Sequence, residues 1–282
     1  MGRTAIVVDS LADLPPDLLA KYNIHVVPIR IRFGQTEYAD RVDMDTATFY
    51  RMLRQSVDFP KTSQPPPGDF SRLYKELLQS HDQIISLHIS SALSGTHNSA
   101  VSAAKRVDAD RITVVDTKSG GIAQGIIALR AAAMASEGKA VTEILDEVEQ
   151  LITDRKIYIV FESLDYIIKG GRLNAKVGGL LTKLKLIPLI TYTANGSLGR
   201  AGVLRNNNNK INQLVKRVTR ELRHTPPTEI GIMHADAPEA GQNLLSRLQK
   251  VFPDARHMLA EIGPGIGSYA GPGTLAIVYF TK

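Results

Sequence analysis

The chain has 282 residues, 43% of them hydrophobic and 22% charged, with a formal net charge of +6 and no cysteine. That length accommodates one large domain or two ordinary ones. Without cysteine there are no disulfides, thiolate metal sites or cysteine nucleophile, and no apolar run approaches the roughly 20 residues that cross a bilayer.

The chain goes from Met1-Gly2-Arg3 straight into the strand-like run Ala5-Ile6-Val7-Val8. This does not read as a signal peptide, and a cytoplasmic location is expected. The run ends at Asp9-Ser10. Leu14-Pro15-Pro16-Asp17 opens a short helix, because proline is tolerated in a first turn. His25–Phe33 reads as a second strand, in which Ile29, Ile31 and Phe33 alternate with Arg30 and Arg32, so one face is wet. Asp45 caps a helix running to about Ser56. The loop Phe59–Gly68 carries four prolines. It contains Lys61-Thr62-Ser63-Gln64-Pro65, whose polar groups the prolines would hold in place. A rigid exposed connector is the plainer reading.

Phe70–Ser80 reads as a helix and Ile84–Ile89 as a strand. That strand breaks into Ser90, Ser91, Ser94, Gly95 and Thr96, and an Ala-rich helix follows from about Thr96 to Val107. A helix start carries unpaired N–H donors and partial positive charge, which suits a carboxylate or phosphate. One hydroxyl suffices for a cap, whereas four stand here within seven residues. Arg111–Asp116 is another strand, Gly120-Gly121 opens a long helix to about Glu137, and Thr142–Asp154 is a further helix. Strands alternating with helices imply a mostly parallel sheet covered on both sides. Ligands sit beyond the carboxyl ends of such strands, where Asp9-Ser10, Ser90-Ser91 and Asp116-Thr117 all stand. Capping or turn chemistry is the competing role for both aspartates.

The second half has a different texture. Ile157–Phe161 is a strand, and Leu164–Ile168 leads into Lys169-Gly170-Gly171-Arg172. The glycines read first as a helix stop, with Arg172 beside them as a bidentate anion donor. Ile187–Tyr192 and Leu198–Leu204 flank Asn195-Gly196, a strong hairpin signal. Helices at Lys210–Arg223 and Pro238–Val251 alternate with strands at Glu229–His234 and His257–Glu261. Asn206–Asn209 reads as an exposed connection. The last strand, Thr274–Phe280, follows a Gly-rich loop, Gly263–Gly273, in which backbone can approach closely. The expected fold is α/β: a mostly parallel N-terminal domain, 1–160, and a mixed α+β C-terminal domain, 161–282.

Several chemistries lack their motifs. The histidines show no paired ligand spacing, so no metal is expected. Ser94 lies in Ala92-Leu93-Ser94-Gly95-Thr96, not in G-x-S-x-G. His97 follows it, with no third residue to orient the ring. Neither GxGxxG nor a Walker loop is present. The basic run Lys210–Arg223 reads as a solvated helix face. With aromatics at 6% and no tryptophan, no nucleic-acid partner is expected. That basic surface suits transient contact with an acidic partner or anionic lipid headgroups.

Taken together, six segments resemble the DegV family, which includes the fatty-acid-binding subunits of bacterial fatty acid kinase. They are Val8-Asp9-Ser10 with Asp13-Leu14, Thr62-Ser63-Gln64-Pro65, Ser90-Ser91 with Leu93-Ser94-Gly95-Thr96, Val115-Asp116-Thr117, Gly170-Gly171-Arg172 and Gly271-Pro272-Gly273. The resemblance spans nearly the whole chain. It implies two α/β domains, with a long-chain fatty acid of palmitate or oleate type buried in the second. Thr62 and Ser94 would hold the carboxylate, and Ser63, Gly95, Thr96 and Tyr269 would complete the ligand site. It implies no catalytic residue and no cofactor. A separate ATP-dependent fatty acid kinase would phosphorylate the presented acid, with Arg172 and Lys169 facing outward as its contacts. Hydroxyl donors would satisfy the carboxylate without a buried cation and leave it free as a nucleophile. The sequence departs from the family at Tyr269, where many members carry His, and at Asn206–Asn209, where relatives are often richer in Lys and Arg. The competing reading is an enzyme acting through Ser94 or Thr62, either a hydrolase or a phosphotransferase related in fold to dihydroxyacetone kinases.

Overall fold

A computed structural model describes residues 2–56, 58–173, 186–205 and 209–281. The first half opens with β1 (Thr4–Asp9), α1 (Pro16–Lys21), β2 (Ile24–Val27), β3 (Arg30–Phe33), β4 (Thr36–Ala39) and α2 (Thr46–Gln55). It continues through β5 (Lys61–Ser63), α3 (Pro67–Leu77), β6 (Gln83–His88), α4 (Thr96–Val107), β7 (Ile112–Asp116), α5 (Ile122–Ser136) and α6 (Val141–Asp154). The second half holds β8 (Lys156–Val160), α7 (Asp165–Lys169), β9 (Leu186–Tyr192), β10 (Leu198–Arg205) and α8 (Lys210–Glu221). It closes with β11 (Glu229–His234), α9 (Pro238–Val251), β12 (Arg256–Glu261), α10 (Pro264–Ala270) and β13 (Leu275–Phe280).

Strand pairing gives the expected α/β architecture. Four parallel strands run in the order β2-β1-β6-β7. Six strands form a mixed sheet, β10-β9-β8-β13-β11-β12, and a small antiparallel sheet runs β4-β3-β5. Because β8 belongs to the mixed sheet, residues 156–160 lie with the C-terminal half, ahead of the expected boundary at 160. The run His25–Phe33 is two strands, not one. Pro28 has no N–H to give a ladder, so β2 stays beside β1 while β3 turns away into the small sheet. There, Lys61–Ser63 of the proline-rich loop pairs as β5, with Thr62 opposite Ile31 and Ser63 opposite Arg30. The Asn195-Gly196 hairpin is present, with Gly196 at φ +83°. Asn206–Asn208 lie outside the described residues.

The Gly-rich stretch before the last strand is also not a plain loop, since α10 occupies Pro264–Ala270. Its glycines serve close packing. A Cβ at Gly265 would stand 2.3 Å from Leu11 Cδ2, and one at Gly267 would stand 2.8 Å from the Tyr50 hydroxyl. This brings the backbone of the second half against the end of β1 and against α2.

One core runs through both halves. Ile6, Val8, Ile85 and Leu87 of the parallel sheet share it with Ile157, Phe161, Met233 and Val278 of the mixed sheet. Between them lies α5, which packs on both β1 and β11. Its buried residues, including Ile122, Ile126, Ile127 and Ala131, face all round, as expected for a helix enclosed by protein. The opposite face of the mixed sheet, with Tyr158, Val160, Ile230, Ile232 and Ile277, packs on Leu214, Val218, Leu244 and Leu248 of α8 and α9.

Polar groups are buried where the halves meet. Asp13 accepts from Arg41 Nη2 at 2.7 Å and from the Gly263 amide at 3.0 Å. Asp40 accepts from the Ser10 hydroxyl at 2.7 Å. Burial raises the Asp13 carboxyl to about 7, outweighing Arg41, and raises Asp40 to about 6, outweighing the Ser10 hydrogen bond. A carboxyl whose pKa is raised in the folded state holds its proton longer there than in the unfolded chain. Its contribution to stability therefore falls as pH rises from about 4 through the folded value. Asp40→Asn keeps an acceptor for Ser10 and removes this titration. It is expected to match the parent near pH 4 and to exceed it by about 1–3 kcal/mol near pH 8 in urea denaturation. Parallel profiles for the two proteins would show that Asp40 ionises in the fold without cost.

Candidate functional site

A cavity lies between the carboxyl edge of the parallel sheet and the inner face of the mixed sheet. The space between its atoms, counted out into the solvent at its open mouth, is about 910 Å³. The period of two in strands supplies one wall, formed by Ile157 and Ile159 of β8, Phe161 just beyond it, and Ala276 and Val278 of β13. The facing wall is Leu11, Ile89, Gly120 and the first turn of α5 at Ile122 and Ala123. The acyl chain was expected inside the second half, but this lining comes from both halves.

Four polar side chains of the lining come from separate elements. Thr62 is placed by β5, on the same face as its partner Ile31, which is fully buried. Ser94 sits in the turn between β6 and α4. Tyr269 is on α10, and Arg172 follows α7. The Thr62 and Tyr269 hydroxyls are 2.6 Å apart and hydrogen bonded. Ser94 Oγ bonds Thr96 Oγ1 at 2.9 Å and accepts from the Thr96 amide at 3.3 Å. The Arg172 guanidinium lies 4.4 Å from the centre of the Tyr269 ring. It donates from Nη1 to the Gly170 carbonyl at 2.7 Å and from Nε to the Leu93 carbonyl at 3.3 Å. Gly170 permits this stack, since a Cβ there would stand 2.2 Å from the Tyr269 ring.

The other expected residues stand apart from the lining. Ser63 is exposed on the opposite face of β5, and Gly95 is covered by the Gln64 side chain, which would lie 1.7 Å from a Cβ at that position. Thr96 is fully buried and reaches the cavity only through Ser94. Lys169 is exposed, in a groove with Phe59, Asp165 and Tyr166. Arg172 does not face outward as expected. It is half-buried, and the lining therefore includes a cation where only neutral donors were anticipated. Leu11, Tyr192 and Thr274 also line the cavity and were not singled out by sequence. For Tyr192 the alternation of apolar residues before the hairpin was the available signal.

The competing enzymatic reading finds little support at Ser94, whose hydroxyl pairs with Thr96 rather than with a base. Among the described residues no three His, Asp or Glu side chains gather as metal ligands. Both aspartates at the strand ends act structurally. Asp9 accepts from the Leu11 and Ile89 amides, and Asp116 from the Ser91 hydroxyl and the Lys118 amide. Among the described residues no helix is long and apolar enough to cross a membrane.

An apolar cavity with hydroxyls and one guanidinium gathered from loops of both halves can hold a long apolar molecule with an acidic end. Proteins with this architecture are known. A solved DegV family protein from Thermus thermophilus, described by its fatty acid binding, superposes with a TM-score of 0.90 at 31% identity, over 99% of this chain and 100% of that one. DegV from Bacillus subtilis, described as a fatty acid binding protein, superposes with a TM-score of 0.90 at 28% identity over the full length of both chains. In sequence, a DegV domain-containing protein of Caldanaerobacter subterraneus is 33% identical over 285 residues, covering 100% of both chains. The pattern described as an uncharacterised protein family, DegV, matches residues 3–282. Matched end to end by that pattern and by a relative one third identical, the chain belongs to the DegV family.

Proposed function

We propose that this protein binds one long-chain fatty acid in the cavity between its sheets and presents it to a separate ATP-dependent kinase, without reacting with it. The observation that carries the reading is the one-ended polarity of the lining. Thr62, Ser94, Tyr269 and Arg172 converge on a wall that is otherwise mainly aliphatic. The descriptions of the Thermus and Bacillus relatives as fatty acid binding point the same way. A palmitate-sized chain carries ~14 methylenes, and burying each contributes ~0.8 kcal/mol, so roughly 11 kcal/mol is available before ordering costs. A carboxylate without donors would forfeit much of that. Here Thr62 and Ser94 supply hydroxyls and Arg172 supplies charge. Lys169, exposed at the end of α7 in the groove with Phe59, Asp165 and Tyr166, is the proposed kinase contact, and Arg172 is reassigned from that role to the carboxylate.

Mass spectrometry of the protein purified from cells is expected to find a co-purified acyl ligand, and palmitate or oleate should bind with one-to-one stoichiometry. Thr62→Ala and Ser94→Ala should each weaken palmitate binding by about 1–2 kcal/mol, as for loss of a hydrogen bond to a charged group. Each should also lower melting of the ligand-free protein modestly, since Thr62 also bonds Tyr269 and Ser94 also bonds Thr96. No acyl ligand, together with no binding of added acid, would overturn the reading. A double variant that binds palmitate as tightly as the parent would move the carboxylate elsewhere. Loaded protein mixed with ATP alone should consume none. Acyl phosphate formed without a second protein would reinstate the phosphotransferase.

A further inference from the structure

Among the described residues the cavity has six polar side chains in its lining, Thr62, Ser94, Arg172, Tyr192, Tyr269 and Thr274. Five of these have hydrogen-bond partners within the chain. Thr62 bonds Tyr269, Ser94 bonds Thr96, Arg172 donates to the Leu93 carbonyl, and Thr274 donates to the Ala270 carbonyl. The Tyr192 hydroxyl bonds nothing among the described residues. The side chain is only partly buried, but a ligand filling the cavity would cover the hydroxyl, and a phenol withdrawn from water ordinarily finds a partner.

Its place in the sheet removes it from the carboxylate cluster. The antiparallel register pairs Ile159 with Ile190, which sets Tyr192 across from Ile157. Phe161, at the end of β8 that leads to α7 and Arg172, is four residues away, about 13 Å along a strand. On its other side the phenol rests over Gly120. A Cβ there would stand 3.1 Å from Ile89 Cδ1 and 3.2 Å from the Tyr192 oxygen, so a glycine makes the room. Ile157 stands across from it and Leu198 pairs with it in the hairpin, while the Arg155 guanidinium is close enough to act on it. Burial raises the phenol's pKa, against the pull of Arg155. The group therefore stays protonated and able to donate.

A plain hydrocarbon chain would cover this hydroxyl and give it nothing in return for its water. An oxygen on the chain would restore the bond. We infer that the ligand of this cavity is a fatty acid bearing a hydroxyl or oxo group partway along its chain, and that Tyr192 selects it. The inference rests on the fatty-acid reading above and adds the chemical class of the chain.

The test compares stearate with hydroxystearic acid isomers that carry the hydroxyl at successive positions, by displacement of a fluorescent fatty acid from the full-length protein. One isomer is expected to bind the parent about fivefold to tenfold more tightly than stearate, the worth of one buried hydrogen bond. Tyr192→Phe changes no shape. It should lose the preference, so that the hydroxylated isomer and stearate bind it alike. Stearate binding with no isomer preferred by the parent overturns the inference and leaves the fatty-acid reading standing. A preference that survives Tyr192→Phe also overturns it. Failure of every acid to bind overturns both. Where Tyr192→Phe folds poorly, Tyr192→Leu takes its place, and a parent that prefers no isomer overturns the inference without either variant.

Discussion

Ala276→Phe is expected to abolish fatty acid binding while leaving the protein folded. Ala276 lies on β13 opposite Ile159, and both line the cavity. A phenyl group there would occupy the space of roughly four chain methylenes, a loss of about 3 kcal/mol of burial, or more than a hundredfold in affinity. The fold is expected to tolerate it because the ring enters space that is already empty, and filling a cavity tends to stabilise. The readout is therefore double. Melting of the ligand-free variant should stay at or above that of the parent, and the rise that palmitate gives the parent through mass action should vanish. If Ala276→Phe folds and still binds palmitate at parental affinity, the acyl chain does not run along this sheet face.

The sequence was most readable where one residue property decides the outcome. The apolar runs that became β1, β6 and β13 could only be buried strands, and Asp45 caps α2 through the Thr48 amide, as its position suggested. Segments whose form depends on distant neighbours were not readable. Pro264–Ala270 is poor in helix formers, yet it winds into α10 because Leu11, Phe49 and Tyr50 leave room for nothing larger than glycine at Gly265 and Gly267. Thr36–Ala39 becomes β4 only because the free edge of β3 is there to be joined.

The site divides the same way. The hydroxyls around Ser94 stood out through their local density at a strand end. Thr62 lay in a loop that looked like a connector, and the resemblance to a family, not its own surroundings, linked it to Ser94. The inward turn of Arg172 follows from the Tyr269 ring 4.4 Å away and from the Leu93 carbonyl. Those partners come from distant parts of the chain, and local sequence carries no trace of them.

The largest loss of stability is expected at Asp9, for a reason that bears on catalysis. Ser86 Oγ lies 2.7 Å from His88 Nε2, and His88 Nδ1 lies 2.9 Å from Asp9 Oδ2. Serine, histidine and aspartate in this order have the connectivity of a hydrolase triad. All three side chains are nonetheless fully buried, and none of them lines the cavity. The Ser86 hydroxyl also accepts from Tyr74 at 2.7 Å. No substrate can reach it, and the network is better understood as the polar pin of the parallel sheet. Asp9 ties β1 to β6 by accepting from the Ile89 amide at 3.0 Å, and reaches α5 through Gln124 Nε2 at 3.2 Å. A carboxylate can only accept, so His88 Nδ1 carries the proton toward it. Asp9→Ala leaves Leu11, Ile89, His88 and Gln124 with buried donors that have lost their acceptor. Each orphaned group costs about 1–3 kcal/mol, and such losses are not additive. A total of about 4–5 kcal/mol is expected, a large share of the 5–15 kcal/mol that typically holds a domain. Urea denaturation should show it, and the Ser90–Ser94 turn that follows Ile89 should lose its grip on the ligand in the same range. A loss below about 1 kcal/mol, less than the cost of even one orphaned buried donor, would mean that water or rearranged partners satisfy these groups. The buried network would then be free for another role.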